Sequence, residues 1–355
     1  MTRRIRIAGF VFATGLSVLT AAGCGGSKGS TASPVAPSPT PAAGPAPAPT
    51  PPPPPPAVRV SFTTVNVLTG RRVTGVRVQI DGRSDLDSGP TGTFVVEGAT
   101  ASVLAVTLSS SEIVTRVTHL RVPGSDGEIG LIPKDFNLSA FEQMARRGGF
   151  GLVRWTTPPR LVIQRRVLQW SESATDVYTS TDQLMSDAAA KAIIDDLVMA
   201  LPDLAGNEYR GFADIVHTTA GVGNPVSMVS PGDIIVAYFT GLTAARGAIG
   251  LGSRTYGNDG SVRSGQVYLD AGYDGQGLYA HIARMHELGH ALGWDHVTDA
   301  ASVMAPVATN WPTQFDRDAT RVAFKRALGN RAPDNDQDGF TINPLGLGGP
   351  SIKLP

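Results

Sequence analysis

Residues 286–296 read His-Glu-Leu-Gly-His-Ala-Leu-Gly-Trp-Asp-His. This stretch sets three imidazoles and one carboxylate at the spacings a hydrolytic metal site needs. His286 and His290 are four residues apart, so on a helix they share a face, one turn from each other. Two nitrogens on that face can meet one Zn²⁺ at about 2.0–2.1 Å. Glu287 follows the first histidine and is placed to reach a water at the ion rather than the ion itself. Gly293 can end the helix, because a residue without Cβ enters the left-handed conformation at little cost. The turn it permits brings His296 back as a third ligand. The fourth position then stays open to water, which marks a catalytic site rather than a structural one.

Several elements must hold these residues in place. A helix starting near Gly277 carries the motif. Upstream, Leu161-Val162-Ile163 and Arg166-Val167-Leu168 suggest a first strand or hairpin. Ser186 can cap a helix whose apolar positions Ile194, Leu197, Val198 and Leu201 recur at helical spacing. Ile215-Val216-His217, the apolar run from Ile234 to Phe239, and Gln266-Val267-Tyr268-Leu269 read as strands. A further helix is expected over residues 317–328, and a shorter one over residues 136–147.

The motif resembles the extended zinc signature H-E-x-x-H-x-x-G-x-x-H of the metzincin metallopeptidases. Met304, in Ser302-Val303-Met304-Ala305-Pro306, resembles the Met-turn of that clan. The spacing and Pro306 look most like the matrixin branch. Astacin-like and serralysin-like members usually carry a Tyr where Pro306 stands, so no tyrosine ligand is implied. The resemblance implies an α+β, metzincin-like catalytic domain: a mixed sheet with helices, a zinc helix, the Met-turn and a C-terminal helix. It also implies a zinc endopeptidase acting on protein or peptide, with Met304 as a hydrophobic floor rather than a ligand. Matrixins often hold a second zinc in a His/Asp cluster, for which too few histidines remain here. His281 lies about 140° around the helix from His286 and should face away from it. His217 reads as a structural strand residue.

Residues 58–133 look like a small all-β domain. Val58 to Phe62 and Val76 to Ile80 alternate apolar and polar residues, as half-buried strands do. Thr69-Gly70, Asp81-Gly82 and Pro90-Thr91-Gly92 mark turns. Phe94-Val95-Val96, Val103 to Val106 and Arg116 to Leu120 continue the series. This spacing suggests an antiparallel sandwich, similar to carboxypeptidase regulatory-like domains. His119 is a strand residue with no special role.

The first residues suggest export. Arg3, Arg4 and Arg6 precede an apolar run too short to span a membrane as a mature helix. Ala21-Ala22-Gly23-Cys24 follows and resembles a bacterial lipoprotein signal, implying lipid on Cys24 and a membrane anchor. An ordinary secretory signal is the alternative, so the protein is expected in the cell envelope or secreted. Cys24 is the only cysteine, which leaves no internal disulfide. Residues 24–57 are rich in Pro, Ala, Ser, Thr and Gly and read as an extended tether; a proline-recognition ligand is the rival.

The chain thus divides into a leader (1–23), a tether (24–57), a β-sandwich (58–133), a connector (134–150), a metallopeptidase domain (151–330) and a tail (331–355). In the tail, Asp334-Asn335-Asp336-Gln337-Asp338-Gly339 resembles the start of a Ca²⁺ loop. Leu345 stands where that loop needs Glu, which leaves a solvated acidic tail as the other reading. The 30 basic and 30 acidic residues balance, and no basic run follows the leader, so nothing points to nucleic acid. A second function class stays open: a surface-binding lipoprotein whose zinc is only structural, which would need a fourth protein ligand.

Overall fold

The computed structural model describes residues 59–97, 102–122, 127–146, 151–172, 176–272, 277–307 and 309–337. The leader, the tether and Cys24 lie outside them, as do Asp338, Gly339 and Leu345. The described residues all fall within one compact unit. Among the described residues no helix is long and apolar enough to cross a membrane.

Seven strands come first: β1 (Arg59–Asn66), β2 (Arg77–Ile80), β3 (Leu86–Asp87), β4 (Thr93–Glu97), β5 (Ser102–Ser109), β6 (Arg116–Val122) and β7 (Gly127–Leu131). They form one sheet in the order β4-β1-β7 and another in the order β3-β2-β5-β6. Alternation decides which residues turn inward. Val60 and Phe62 of β1, Val78 and Ile80 of β2, and Val106 and Leu108 of β5 share one buried core. Phe62 and Phe94 stack across β1 and β4, with ring centroids 5.5 Å apart. The expectation of purely antiparallel pairing is corrected in one place: β7 runs parallel to β1. The chain comes round from the second sheet to lay Ile129 and Leu131 into the core. The glycines at 127 and 130 hid that strand in the sequence.

Helix α1 (Leu138–Ala145) follows, shorter than expected because Asn137 caps it by accepting from Ala140 N. Then come β8 (Arg160–Gln169), β9 (Val177–Leu184), α2 (Asp187–Leu204), β10 (Ile215–Thr218), β11 (Pro225–Ser227), β12 (Asp233–Thr240), α3 (Leu242–Arg246), β13 (Gly250–Tyr256), β14 (Val262–Asp270), α4 (Leu278–Leu292) and α5 (Gln314–Phe324). The sheet order is β11-β9-β8-β12-β14-β13, with β10 also on β8. β8, β12 and β14 run parallel to one another, while β9 is antiparallel to β8 and β13 to β14. β12 is buried almost end to end, as a central parallel strand covered on both faces must be.

One face of this sheet packs under α2 and α4. Ile163, Val236 and Leu269 meet Ile193, Leu197, Met285 and Leu288 in the main core. The buried stripe of α2 runs through Ala190, Ile193, Leu197, Ala200, Leu201 and Leu204. It is rotated from the expected one, and Val198 is 37% exposed. The alanines in the stripe let α4 lie close, which apolar periodicity alone did not show. Asp196 sits on the same face, paired to Arg284 of α4 at 2.6 Å with both side chains buried. α5 starts earlier than expected, because Thr313 and Asp316 form a capping box.

The acidic run after residue 330 is not a solvated tail. Asp334 is fully buried and bonds Arg326 at 2.6 and 2.8 Å. Asp336 bonds Arg116 of β6 at 3.0 Å and Thr118 at 2.7 Å. Val117 N donates to Asp334 O and Asp336 N to Val117 O, each at 2.9 Å, so this segment lies along β6. The described carboxylates of the expected Ca²⁺ loop are thus engaged by guanidinium and hydroxyl donors. Residues 331–337 thus bond both to β6 and to the segment that carries Arg326 and Asn330.

Candidate metal centre

Helix α4 ends where a glycine is required. Gly293 has φ of 127°, and a Cβ there would come within 3.0 Å of Val153 O. Its N–H and that of Trp294 close back on the last carbonyls of α4. Trp294 is fully buried and donates from Nε1 to Leu204 O at 2.9 Å. Arg254 of β13 pairs with Asp295 at 3.1 Å and is buried with it. These contacts fix the turn that returns His296 to the helix.

The three Nε2 atoms converge. His286 to His290 is 3.1 Å, His290 to His296 is 3.1 Å, and His286 to His296 is 3.2 Å. Two of the rings are oriented from behind. His286 Nδ1 donates to Val303 O and His290 Nδ1 to Trp294 O, both at 2.7 Å. A carbonyl can only accept, so Nδ1 carries the proton in both rings. Burial drives the His286 ring down to about 4 and holds His290 well below its usual value, so both rings are neutral. Their Nε2 atoms are therefore bare lone pairs aimed at each other, and no hydrogen bond can join them. A cation between them resolves that conflict. A tetrahedral zinc with bonds of about 2.0–2.1 Å would hold its ligands about 3.3–3.4 Å apart, so the triad fits the ion. Among the described residues, this is the one group of three or more His, Cys, Asp or Glu side chains suited to a metal.

Glu287 lies beside the triad and is not one of its members. Burial pushes its carboxyl up to about 8, and a hydrogen bond from Gly252 N opposes that shift. A divalent cation nearby would favour the carboxylate. Edge strand β13 passes close over this carboxyl. A Cβ on Gly250 would stand 3.0 Å from Glu287 Oε1, and one on Gly252 would stand 2.5 Å from Glu287 O. This glycine-rich strand was missed in the sequence, because glycines weaken the alternating pattern of a strand.

Met304 is fully buried beneath α4. A Cβ on Gly289 would lie 2.2 Å from Met304 Sδ, so the small residue inside the motif makes room for the methionine. Val297 N donates to Met304 O at 2.9 Å, closing the turn on the chain just after His296. Asp316, at the start of α5, holds the same turn. It accepts from Ser302 Oγ, and from Val303 N at 3.0 Å. Val303 O in turn orients His286. Asp316 was not found in the sequence, although Thr313 three residues before it is a capping-box signal.

The other histidines lie elsewhere. His281 Nδ1 bonds Asp196 at 2.8 Å, on the side of α4 that meets α2. His217 is exposed on β10, and His119 lies in β6.

A family model described as Peptidase_M10, Matrixin, matches residues 240–323. That span runs from the end of β12 through β13, β14, the zinc-motif helix and the turn into α5. It covers well under half of the chain and supports a matrixin-like metallopeptidase there. No curated protein gives a significant match. Among solved structures, a DUF3823 family protein from Bacteroides uniformis ATCC 8492 is similar at 14% identity over 38% of this chain, with a TM-score of 0.17. This chain spans 56% of that protein's length. So low a score carries no argument about fold or activity.

Proposed function

We propose that this chain is an exported zinc-dependent endopeptidase that hydrolyses peptide bonds at His286, His290 and His296, with Glu287 as the general base. One observation carries the reading: three buried or half-buried imidazole Nε2 atoms converge within 3.2 Å of one another beside a buried carboxyl that stands outside the group. The matrixin match over residues 240–323 supports the peptidase class, and so a protein or peptide substrate. His286, His290 and His296 would hold a zinc ion through their Nε2 atoms, and that ion would supply Lewis acidity at the site. Glu287 takes the proton of the attacking water and delivers it to the leaving amine. Gly252 N–H fixes the carboxyl that does this. β13 ends its sheet, so an extended peptide can pair with its free edge and be led past Glu287. Met304 supplies the floor beneath the imidazoles.

The structural-zinc alternative needs a fourth protein ligand. Among the described residues the group holds three. The test is to incubate the zinc-loaded full chain with a broad peptide library, with and without chelator. Cleavage that stops with chelator and returns with zinc supports the enzyme. No cleavage of any peptide gives the chain to the binding-module reading. Export and lipidation at Cys24 rest on the leader alone. Mass spectrometry of the mature N-terminus tests them: a lipidated Cys24 is expected, and an unmodified start at another residue rules the anchor out.

A further inference from the structure

Helix α1 precedes the span matched by the peptidase family, yet it is fastened to the loop that carries the third histidine. Asp295 N donates to Met144 O at 2.9 Å. Gln143 Oε1 accepts from Thr298 N at 2.7 Å and from Thr298 Oγ1 at 3.1 Å. Asn137 Nδ2 donates to Asp299 O at 2.9 Å, and Ser139 Oγ to Asp299 Oδ2 at 2.7 Å. Hydrogen bonds from Ser139, Gln143 and Thr298 hold the Asp299 carboxyl below the usual range. His296 is thus bracketed on both sides by bonds to α1. The helix is itself anchored from behind, with Phe141 and Met144 in the main core and Arg146 bonded to Asn330 and to Pro333 O.

A depression of about 310 Å³ opens beside His296, lined by Gln143, His296, Thr298 and Pro306. We propose that α1 is a wall of the substrate cleft and that Gln143 is a specificity-determining residue. The inference rests on the peptidase reading above. The carbonyl of Gln143 is engaged by Thr298 and its amide by Asp299. The hydroxyl of Thr298 is engaged as well. The lining left to a ligand is the stem of Gln143, the ring of Pro306 and the edge of the imidazole. Such a lining takes an apolar side chain, and its contact with a metal ligand places that residue next to the scissile bond.

The test compares the zinc-loaded full chain with Gln143→Ala and Gln143→Glu. The first variant removes the wall. The second keeps the shape and can still accept from Thr298, but it loses the amide bond to Asp299 and adds a charge. Two readouts are used: kcat/KM for peptides differing only in Ala, Leu, Phe or Lys near the cut bond, and calorimetric affinity for zinc-binding peptide hydroxamates bearing the same side chains. Gln143→Ala should raise the Phe-to-Leu ratio about 10-fold, the scale of a lost pocket wall. Gln143→Glu should raise the Lys-to-Leu ratio, which keeps the test alive if the alanine variant does not fold. Zinc content is measured alongside, so that each ratio is read per zinc-loaded protein. If the wild type cleaves and neither ratio moves in either readout, the wall assignment is wrong and the peptidase stands. If nothing is cleaved while the hydroxamate ratios shift, the wall stands and the peptidase reading falls.

Discussion

Asp316 touches no part of the triad, yet it governs one of its members. Its two oxygens hold Ser302 Oγ and Val303 N, and Val303 O orients the His286 ring. Groups that orient metal-binding imidazoles through such links typically account for about 10–100-fold in metal affinity. Asp316→Asn keeps the shape but loses part of this grip. Zinc affinity measured by competition with a chelator should fall within that range, while the fold is retained. Unchanged affinity would show that the turn holds His286 without help. At this scale the sequence was informative where chemistry depends on local spacing. His286, Glu287, His290, Gly293 and His296 lie on one helix and its closing turn, so their geometry follows from the helical repeat. Asp316 and Gln143 act only through tertiary contacts with distant segments, and no local period announces those.

At the scale of elements, the packing of β13 on α4 depends on Gly252. A Cβ there would lie 2.5 Å from both Glu287 O and His290 Cβ, and neither is a flexible side-chain tip. Gly252→Ala must push the strand off the helix. Overpacking of this kind costs about 1–3 kcal/mol, and it also moves the donor that holds Glu287. Urea denaturation should show the lost stability, and peptide cleavage should fall with zinc still bound. Wild-type stability and turnover in this variant would mean that β13 does not press on the helix as described. β12 was legible because a buried parallel strand is a long hydrophobic run, and β8 and β14 through short apolar stretches such as Leu161–Ile163 and Val267–Leu269. β13, β7 and β11 were not, because Gly and Pro interrupt them. The stripe of α2 was misplaced because its helix partner is met partly through alanines and through the Asp196–Arg284 pair, which an apolar count does not register.

At the scale of the molecule, residues 331–337 tie β6 to the segment that follows α5. Arg326 and Asp334 are both fully buried as a pair, and Arg116 from β6 holds Asp336. Burial pushes the Asp336 carboxyl up, but Arg116 and hydrogen bonds from Thr118 and Asn330 outweigh it and leave the group below its usual range. A lowered folded value means that its contribution to stability is complete above the unfolded value, about 3.9, and is lost as pH falls through the folded one. Asp336→Asn should therefore flatten the loss of stability below about pH 4 relative to wild type. Identical acid profiles would remove Asp336 from the joint. The early strands were legible from their spacing, and the motif helix from its histidines. That the chain returns after residue 330 to bind β6 was not, since acidic residues near an end look the same in sequence whether solvated or paired.

The central claim is that Glu287 acts on water and not as a ligand. The zinc-loaded wild type and Glu287→Ala should be compared for zinc content and for cleavage of the same peptide library. The variant should keep its zinc and its fold while its turnover falls by about 10²–10⁴-fold, the usual contribution of a general base. Equal cleavage by the two proteins, or loss of zinc from the variant, would contradict the account.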